Sequence, residues 1–223
     1  MAMSSATAVR RKPVAEAPRH DSWAQKTTHG ASGSKYFDTR LDSYVERILP
    51  GDFCVTGDEI GLVTTLGSCV SACIRDPEAG IGGMNHFMLP ESEMSGPSIA
   101  SARYGGYAME VLINELLKRG AHRDNLEAKV FGGGSVLAGF RAADVGGRNA
   151  RFVHEYLANE RIAILAEDLG GVHPRKIVYF PRTGKVLVMR LAATRNRAEL
   201  RAEELYQESL RSRPVAGDIE LFD

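Results

Sequence analysis

The chain is predicted to fold as a single α+β layered domain, with mixed or antiparallel β-sheets and helices packed outside them. Three observations carry this prediction. Short apolar segments bounded by Gly, Pro and Asp occur between residues 53 and 89 and again between 162 and 189, as strands do. Two stretches of helical periodicity, 102–119 and 149–160, stand among those strands, an order that suits sheets covered by helices. The length, 223 residues with 43% apolar content, fits one core with tails. The expected division is a tail over 1–35, the domain over 36–194, and a charged helix with a tail over 195–223.

Residues 1–35 are rich in Ala, Ser, Arg, Lys and Pro without periodicity, so the reading is a disordered tail. It lacks the apolar core of a secretory signal. The segment Phe37–Leu49 leads into the core, and Pro50, Gly51 and Asp52 interrupt it. Ile60, Leu62 and Val63 then enter a Thr-rich run, and Val70–Ile74 alternates loosely as a half-buried strand does. Asp76, Pro77 and Gly80 supply turn chemistry. The return strand, Ile81–Leu89, puts Met84, His86 and Met88 on one face, and Pro90 ends it.

Residues 91–98 read as a surface loop. The helix over 102–119 buries a stripe of Tyr104, Ala108, Val111, Leu112 and Leu116 and stops at Gly120; Gly105 and Gly106 within it are read as points of close packing. A strand over 129–131 runs into Gly132–Gly134. Asn149–Glu160 forms a second helix, Ile162–Ala166 a strand, and Ile177–Phe180 with Val186–Met189 a hairpin. The last helix, 195–213, is charged with few apolar positions, so it is solvated or borrows a partner.

Chemistry concentrates in Thr64–Pro90. A turn near Pro77 or Glu78 pairs position 69 with 86 or 87, which sets Cys69 opposite or diagonal to His86, within proton-sharing reach; a slip of one residue would separate them. An isolated thiol has a pKa near 8.5, and an adjacent imidazolium lowers it. Gly67 and Ser68 can turn the backbone so that N–H groups face a developing oxyanion. Thr64 or Thr65 can accept from the second ring nitrogen of His86 and orient it. The competing reading is a buried structural Cys, since free Cys is among the most buried residue types; Cys73, in an apolar run, is read that way.

Composition excludes several classes. With 28 basic and 28 acidic residues there is no cationic excess for nucleic acid. No apolar run approaches the roughly 18 residues a membrane span needs. Three Cys make no disulfide framework and suit a reducing compartment. No metal site is expected, because Cys69 and Cys73 lack a second ligand pair. The Gly132–Gly134 turn is the alternative motif, a phosphate cradle serving a nucleotide-binding oxidoreductase; position 137 is Leu where the dinucleotide fingerprint needs Gly, and no Walker Lys follows. No cofactor is therefore expected.

TTLGSCVSACIRD (64–76) followed by GGMNHFMLP (82–90) resembles the signature of the CheD family, chemoreceptor glutamine deamidases of bacterial chemotaxis. ARYGGYAMEVLINELLKRGA, KVFGGGSVL, GGRNARFVHEYL, AEDLGGVHPRKIVYF and GKVLVMRL extend the resemblance over Pro50 to Leu191. It implies a fold similar to that of the cytotoxic necrotizing toxin deamidases, Cys69 as nucleophile, His86 as base, and a Thr ahead of the Cys, here Thr64 with Thr65 in reserve. The implied substrates are glutamines, and some methyl esters, on the cytoplasmic helices of methyl-accepting chemotaxis receptors. The implied setting is the cytoplasm beside receptor arrays, with a CheC-type phosphatase as a further candidate partner. A receptor-binding or CheC-binding adaptor with little turnover is the alternative.

Overall fold

The computed structural model describes residues 28–29, 34–90, 99–135, 144–192 and 197–212. Eleven strands and three α-helices follow in the order β1 (Thr28–His29), β2 (Lys35–Asp38), β3 (Ser43–Arg47), β4 (Phe53–Thr56), β5 (Gly61–Leu66), β6 (Val70–Asp76), β7 (Ile81–Asn85), α1 (Ile99–Lys118), β8 (Glu127–Gly132), α2 (Val145–Asn159), β9 (Ala163–Leu169), β10 (Arg175–Phe180), β11 (Lys185–Arg190) and α3 (Arg197–Ser212). They make two sheets, a six-stranded one ordered β1-β4-β7-β6-β8-β9 and a five-stranded one ordered β11-β10-β5-β3-β2. Parallel pairing occurs at β3–β5 and β8–β9, and the remaining pairs are antiparallel. The fold is α+β with mixed sheets, as the sequence predicts.

Alternation along the strands builds the layers. On β6, Val70, Ala72 and Ile74 join Met109, Leu112, Ile113 and Leu116 of α1 and Val153 and Leu157 of α2 in one core between the six-stranded sheet and the helices. Cys69 and Cys73, on the opposite face, join Leu62, Leu66, Ile177 and Tyr179 of the five-stranded sheet in a second core between the sheets. The order is helices, sheet, sheet. A polar group on that second face is enclosed on both sides.

Element ends follow local chemistry. α1 stops at Gly120, whose φ of +96° accompanies bonds from Gly120 N to the Leu117 carbonyl and from Ala121 N to the Leu116 carbonyl, a left-handed helix terminus. A Cβ on Gly105 would lie 2.6 Å from Leu89 and Phe152, whereas one on Gly106 would meet nothing within 4 Å; close packing accounts for the first glycine alone. α2 begins four residues before the predicted start because Asp144 caps it, accepting from Gly147 N. Thr28–His29 pairs with β4, inside the span read as tail. Residues 1–27 of that tail, the 91–98 loop and the residues after 212 lie outside the described residues.

The β6–β7 hairpin departs from the expected register. Asp76 pairs with Ile81 and Cys73 with Met84, and Val70 bridges Phe87, so Cys69 falls level with Met88. β7 ends at Asn85, and His86 turns to the preceding loop: His86 N donates to the Asp52 carbonyl and Gly51 N to the His86 carbonyl. Against the expected partner, 86 or 87, the offset is two residues or one. His86 stands two positions from Met88, and with a side-chain period of two it shares a face with Cys69.

Candidate active site

The loop carrying Cys69 is held by its carbonyls. Gly67 O accepts from Gly134 N and Cys69 O from Gly133 N, each at 2.7 Å, and Ser68 O accepts from Asn149 Nδ2 of α2 at 2.8 Å. The N–H groups of Gly67 and Ser68 turn instead toward the space between the sheets. Both donate there to the carboxylate of Glu203 on α3, at 2.6 and 3.0 Å. The Gly-rich turn thus acts on this loop. Gly132 has φ +111°, and a Cβ on it would lie 2.1 Å from the Cys69 carbonyl oxygen. Its amides at 133, 134 and 135 are bonded to backbone carbonyls, which removes the phosphate-cradle reading.

Thr64 and His86 come from different sheets and meet between them. On β5, Leu62, Thr64 and Leu66 alternate toward the second core while Val63 packs on the outer face, and Thr65 shares the side of Val63. The Thr64 hydroxyl donates to the Ile48 carbonyl at 2.8 Å and lies 2.8 Å from His86 Nδ1. A hydroxyl has one proton. Since Ile48 takes it, Nδ1 must be the donor to Thr64, which leaves Nε2 with its lone pair. Nε2 has no hydrogen-bond partner among the described residues and faces Cys69 and Glu203: the ligand atoms of Cys69, His86 and Glu203 all lie within 4.8 Å of one another.

Burial sets the charge state. His86 is brought down to about 3 by loss of solvent, offset in part by the Ile48 carbonyl. The Cys69 thiol is pushed well up by burial first and by the Glu203 charge second. Glu203 is itself raised by burial, against the opposing pull of the Gly67 and Ser68 amides. The resting site therefore holds a neutral imidazole beside a protonated thiol. Cys73, buried and pairing across from Met84, sits in the core as expected. Cys69, His86 and Glu203 are the group of potential metal ligands among the described residues, but both Glu203 oxygens already accept amide protons.

Two residues of the site escaped the sequence reading. Asn149 was legible only as the start of a helix, yet its amide bridges Ser68 O and Leu89 N. Glu203 stood in a helix read as solvated or awaiting a partner. In the fold Glu203, Gln207 and Leu210 are buried and Tyr206 is half-buried, spaced i, i+4, i+7 with i+3. That spacing was the available signal.

A buried Cys and His from one sheet, a hydroxyl from the other fixing the imidazole tautomer, and two backbone amides aimed at the same point form the constellation that thiol-dependent acyl-transfer enzymes use. Comparison with known proteins is specific. The family model of CheD, described as chemotactic sensory transduction, matches residues 88–190. The chain is 59% identical over 189 residues to a "Probable chemoreceptor glutamine deamidase CheD" of Herminiimonas arsenicoxydans, covering 84% of this chain and 93% of the relative. It is 54% identical over 190 residues to the protein of the same description from Methylobacillus flagellatus, covering 84% and 94%. A third, from Xanthomonas campestris pv. campestris, is 52% identical over 189 residues, covering 85% and 94%. The chain belongs to the CheD family. No helix among the described residues is long and apolar enough to cross a membrane.

Proposed function

We propose that the chain is a cysteine-dependent deamidase that converts glutamine side chains of chemoreceptors to glutamate through a thioester. The observation that carries this reading is the pairing of Thr64 with His86: because the Thr64 proton goes to Ile48, His86 Nε2 is the basic nitrogen on the Cys69 side. In the reaction His86 takes the Cys69 proton and the sulfur attacks the carboxamide carbon. The Gly67 and Ser68 amides receive the oxyanion. His86 then gives its proton to the departing nitrogen, ammonia leaves, and water hydrolyses the thioester by the same base. Thr64, being neutral, orients the imidazole and adds little charge stabilisation.

The relatives' descriptions supply the substrate class, and a surface feature agrees with it. A cleft of about 190 Å³ beside the site is lined by His86, Thr64, Arg47 and Lys176; its two cations, Arg47 and Lys176, suit a target Gln with acidic neighbours. The same reading sets the chain in the cytoplasm at receptor arrays, with a CheC-type phosphatase as a candidate partner. The test is intact mass and peptide mapping of a chemoreceptor cytoplasmic domain co-expressed with wild type, Cys69→Ala or Cys73→Ala. Each conversion adds about 1 Da, since NH₂ becomes OH in the net hydrolysis. Conversion that needs Cys69 and not Cys73 is expected. Binding without any conversion would instead make the protein an adaptor.

A further inference from the structure

The amides that would stabilise the oxyanion are already occupied by the chain itself. Glu203 Oε1 accepts from Gly67 N at 2.6 Å, and Oε2 accepts from Ser68 N at 3.0 Å and from Ser68 Oγ at 3.3 Å. A carboxylate there is not a random neighbour. Glutamate is the product of the proposed reaction, and Glu203 presents it from a helix. Its carboxylate shares a 4.8 Å cluster with the thiol and the imidazole.

While α3 is seated, a second side chain has no room. Cys69 is fully buried and His86 is 2% exposed, and the adjoining cleft is bounded by Ala202 of α3 and does not reach Cys69. The helix is held along one narrow face. Tyr206 meets Tyr104 through their hydroxyls and packs on Gly51, Leu210 enters the inter-sheet core, and Arg201, Glu204, Leu205 and Glu208 are exposed. Anchoring along one face only suits an element that a competing helix can displace. The buried charge of Glu203 also keeps the thiol protonated, silencing the nucleophile that it covers.

We propose that α3 is a built-in product analogue: Glu203 seats a glutamate carboxylate where the deamidation product would lie, and the site stays closed until a substrate helix displaces it. This rests on the deamidase reading, and it makes a chemical prediction. With Glu203→Gln the analogue becomes a substrate. The Cys69 sulfur bonds to the carboxamide carbon now at position 203 as the carbon–nitrogen bond breaks, and ammonia leaves with the proton His86 took from the thiol. Water then adds, the sulfur–carbon bond breaks, and the proton returns to sulfur. The net change at position 203 is carboxamide plus water to carboxylic acid plus ammonia, which restores the native glutamate.

The experiment expresses full-length Glu203→Gln, alone and combined with Cys69→Ala, and sequences the tryptic peptide 202–211 by fragmentation. The expected result is glutamate at position 203 in the single variant, heavier by about 1 Da than glutamine as hydrolysis requires, and unchanged glutamine in the double variant. In parallel, iodoacetamide labelling of Cys69 is followed in wild type and Glu203→Ala, with buried Cys54 and Cys73 as internal references. Labelling at least about tenfold faster in Glu203→Ala is expected for a thiol released from burial. If the introduced glutamine persists and labelling is unchanged while receptor glutamines are converted by Cys69, the product-analogue proposal is overturned and the deamidase reading stands. If the introduced glutamine persists and no receptor glutamine is converted either, both fall.

Discussion

Replacing Thr64 with Val keeps the shape and removes one hydroxyl, so it isolates what that oxygen does. In the native fold the oxygen satisfies two buried groups, the Ile48 carbonyl and His86 Nδ1, both at 2.8 Å. Thr64 is 4% exposed and His86 2%, so water does not replace it. Leaving one buried donor or acceptor unpaired costs about 1–3 kcal/mol; two coupled groups sharing one site give a destabilisation of about 2–4 kcal/mol. The chemical effect is separate. Without an acceptor at Nδ1 the imidazole no longer favours the tautomer with a bare Nε2, and general-base assistance is worth about 10²–10⁴-fold, so a drop of roughly 10²-fold in receptor deamidation is expected. The assays are urea unfolding, ¹⁵N chemical shifts of the His86 ring, and mass spectrometry of receptor peptides. Thr64→Ser should recover most of both losses, and Thr65→Val, on the other face of β5, should stay within about twofold, as exposed-side changes do. A Thr64→Val protein that melts like wild type and keeps the proton on Nδ1 would refute the reasoning.

Three further outcomes follow from the same geometry. His86 is held at about 3 in the fold against 6.5 unfolded; below pH 6.5 the unfolded chain binds a proton that the folded one refuses, so stability falls as pH falls from 6.5 toward 3, by about 2 kcal/mol at pH 5. That loss is measured as the pH 7 to pH 5 slope of wild type minus that of His86→Gln. Asn149→Ala unpairs Ser68 O and Leu89 N, both buried, and should cost about 2–4 kcal/mol in urea unfolding while slowing deamidation by loosening the Cys69 loop. Gly132→Ala forces a methyl to 2.1 Å from the Cys69 carbonyl oxygen at φ +111°, so a loss above about 3 kcal/mol and a displaced Cys69, read from altered thiol labelling, are expected.

The layered fold was legible because its signals are local: turn residues, strand alternation and helical stripes each act within a few positions. The facing of Cys69 and His86 was legible in part: of the two registers the turn allowed, pairing 69 with 86 is off by two and preserves the face, whereas pairing it with 87 is off by one. An error of one would have destroyed it. Choosing Thr64 over Thr65 required knowing which face of β5 turns inward, which depends on the packing of one sheet against another. Asn149 and Glu203 reach the loop from 81 and 135 or 136 positions away; no local rule encodes such distances. A charged residue on a charged helix reads as solvated, because burial of a carboxylate is unfavourable until two backbone amides are supplied to it.

Thr64 and His86 stand on opposite walls of a two-sheet sandwich, joined across the gap by one hydrogen bond. Separating the walls by under an ångström would break that bond while every ladder within either sheet stayed intact. The imidazole is therefore a gauge of how firmly the walls are clamped. Side chains that set the gap, Leu62 and Tyr179 among them, bear on chemistry they never touch. Trimming one should detune the base under conditions where unfolding is still remote, so the reaction rate would register slack in the sandwich before a melting curve did.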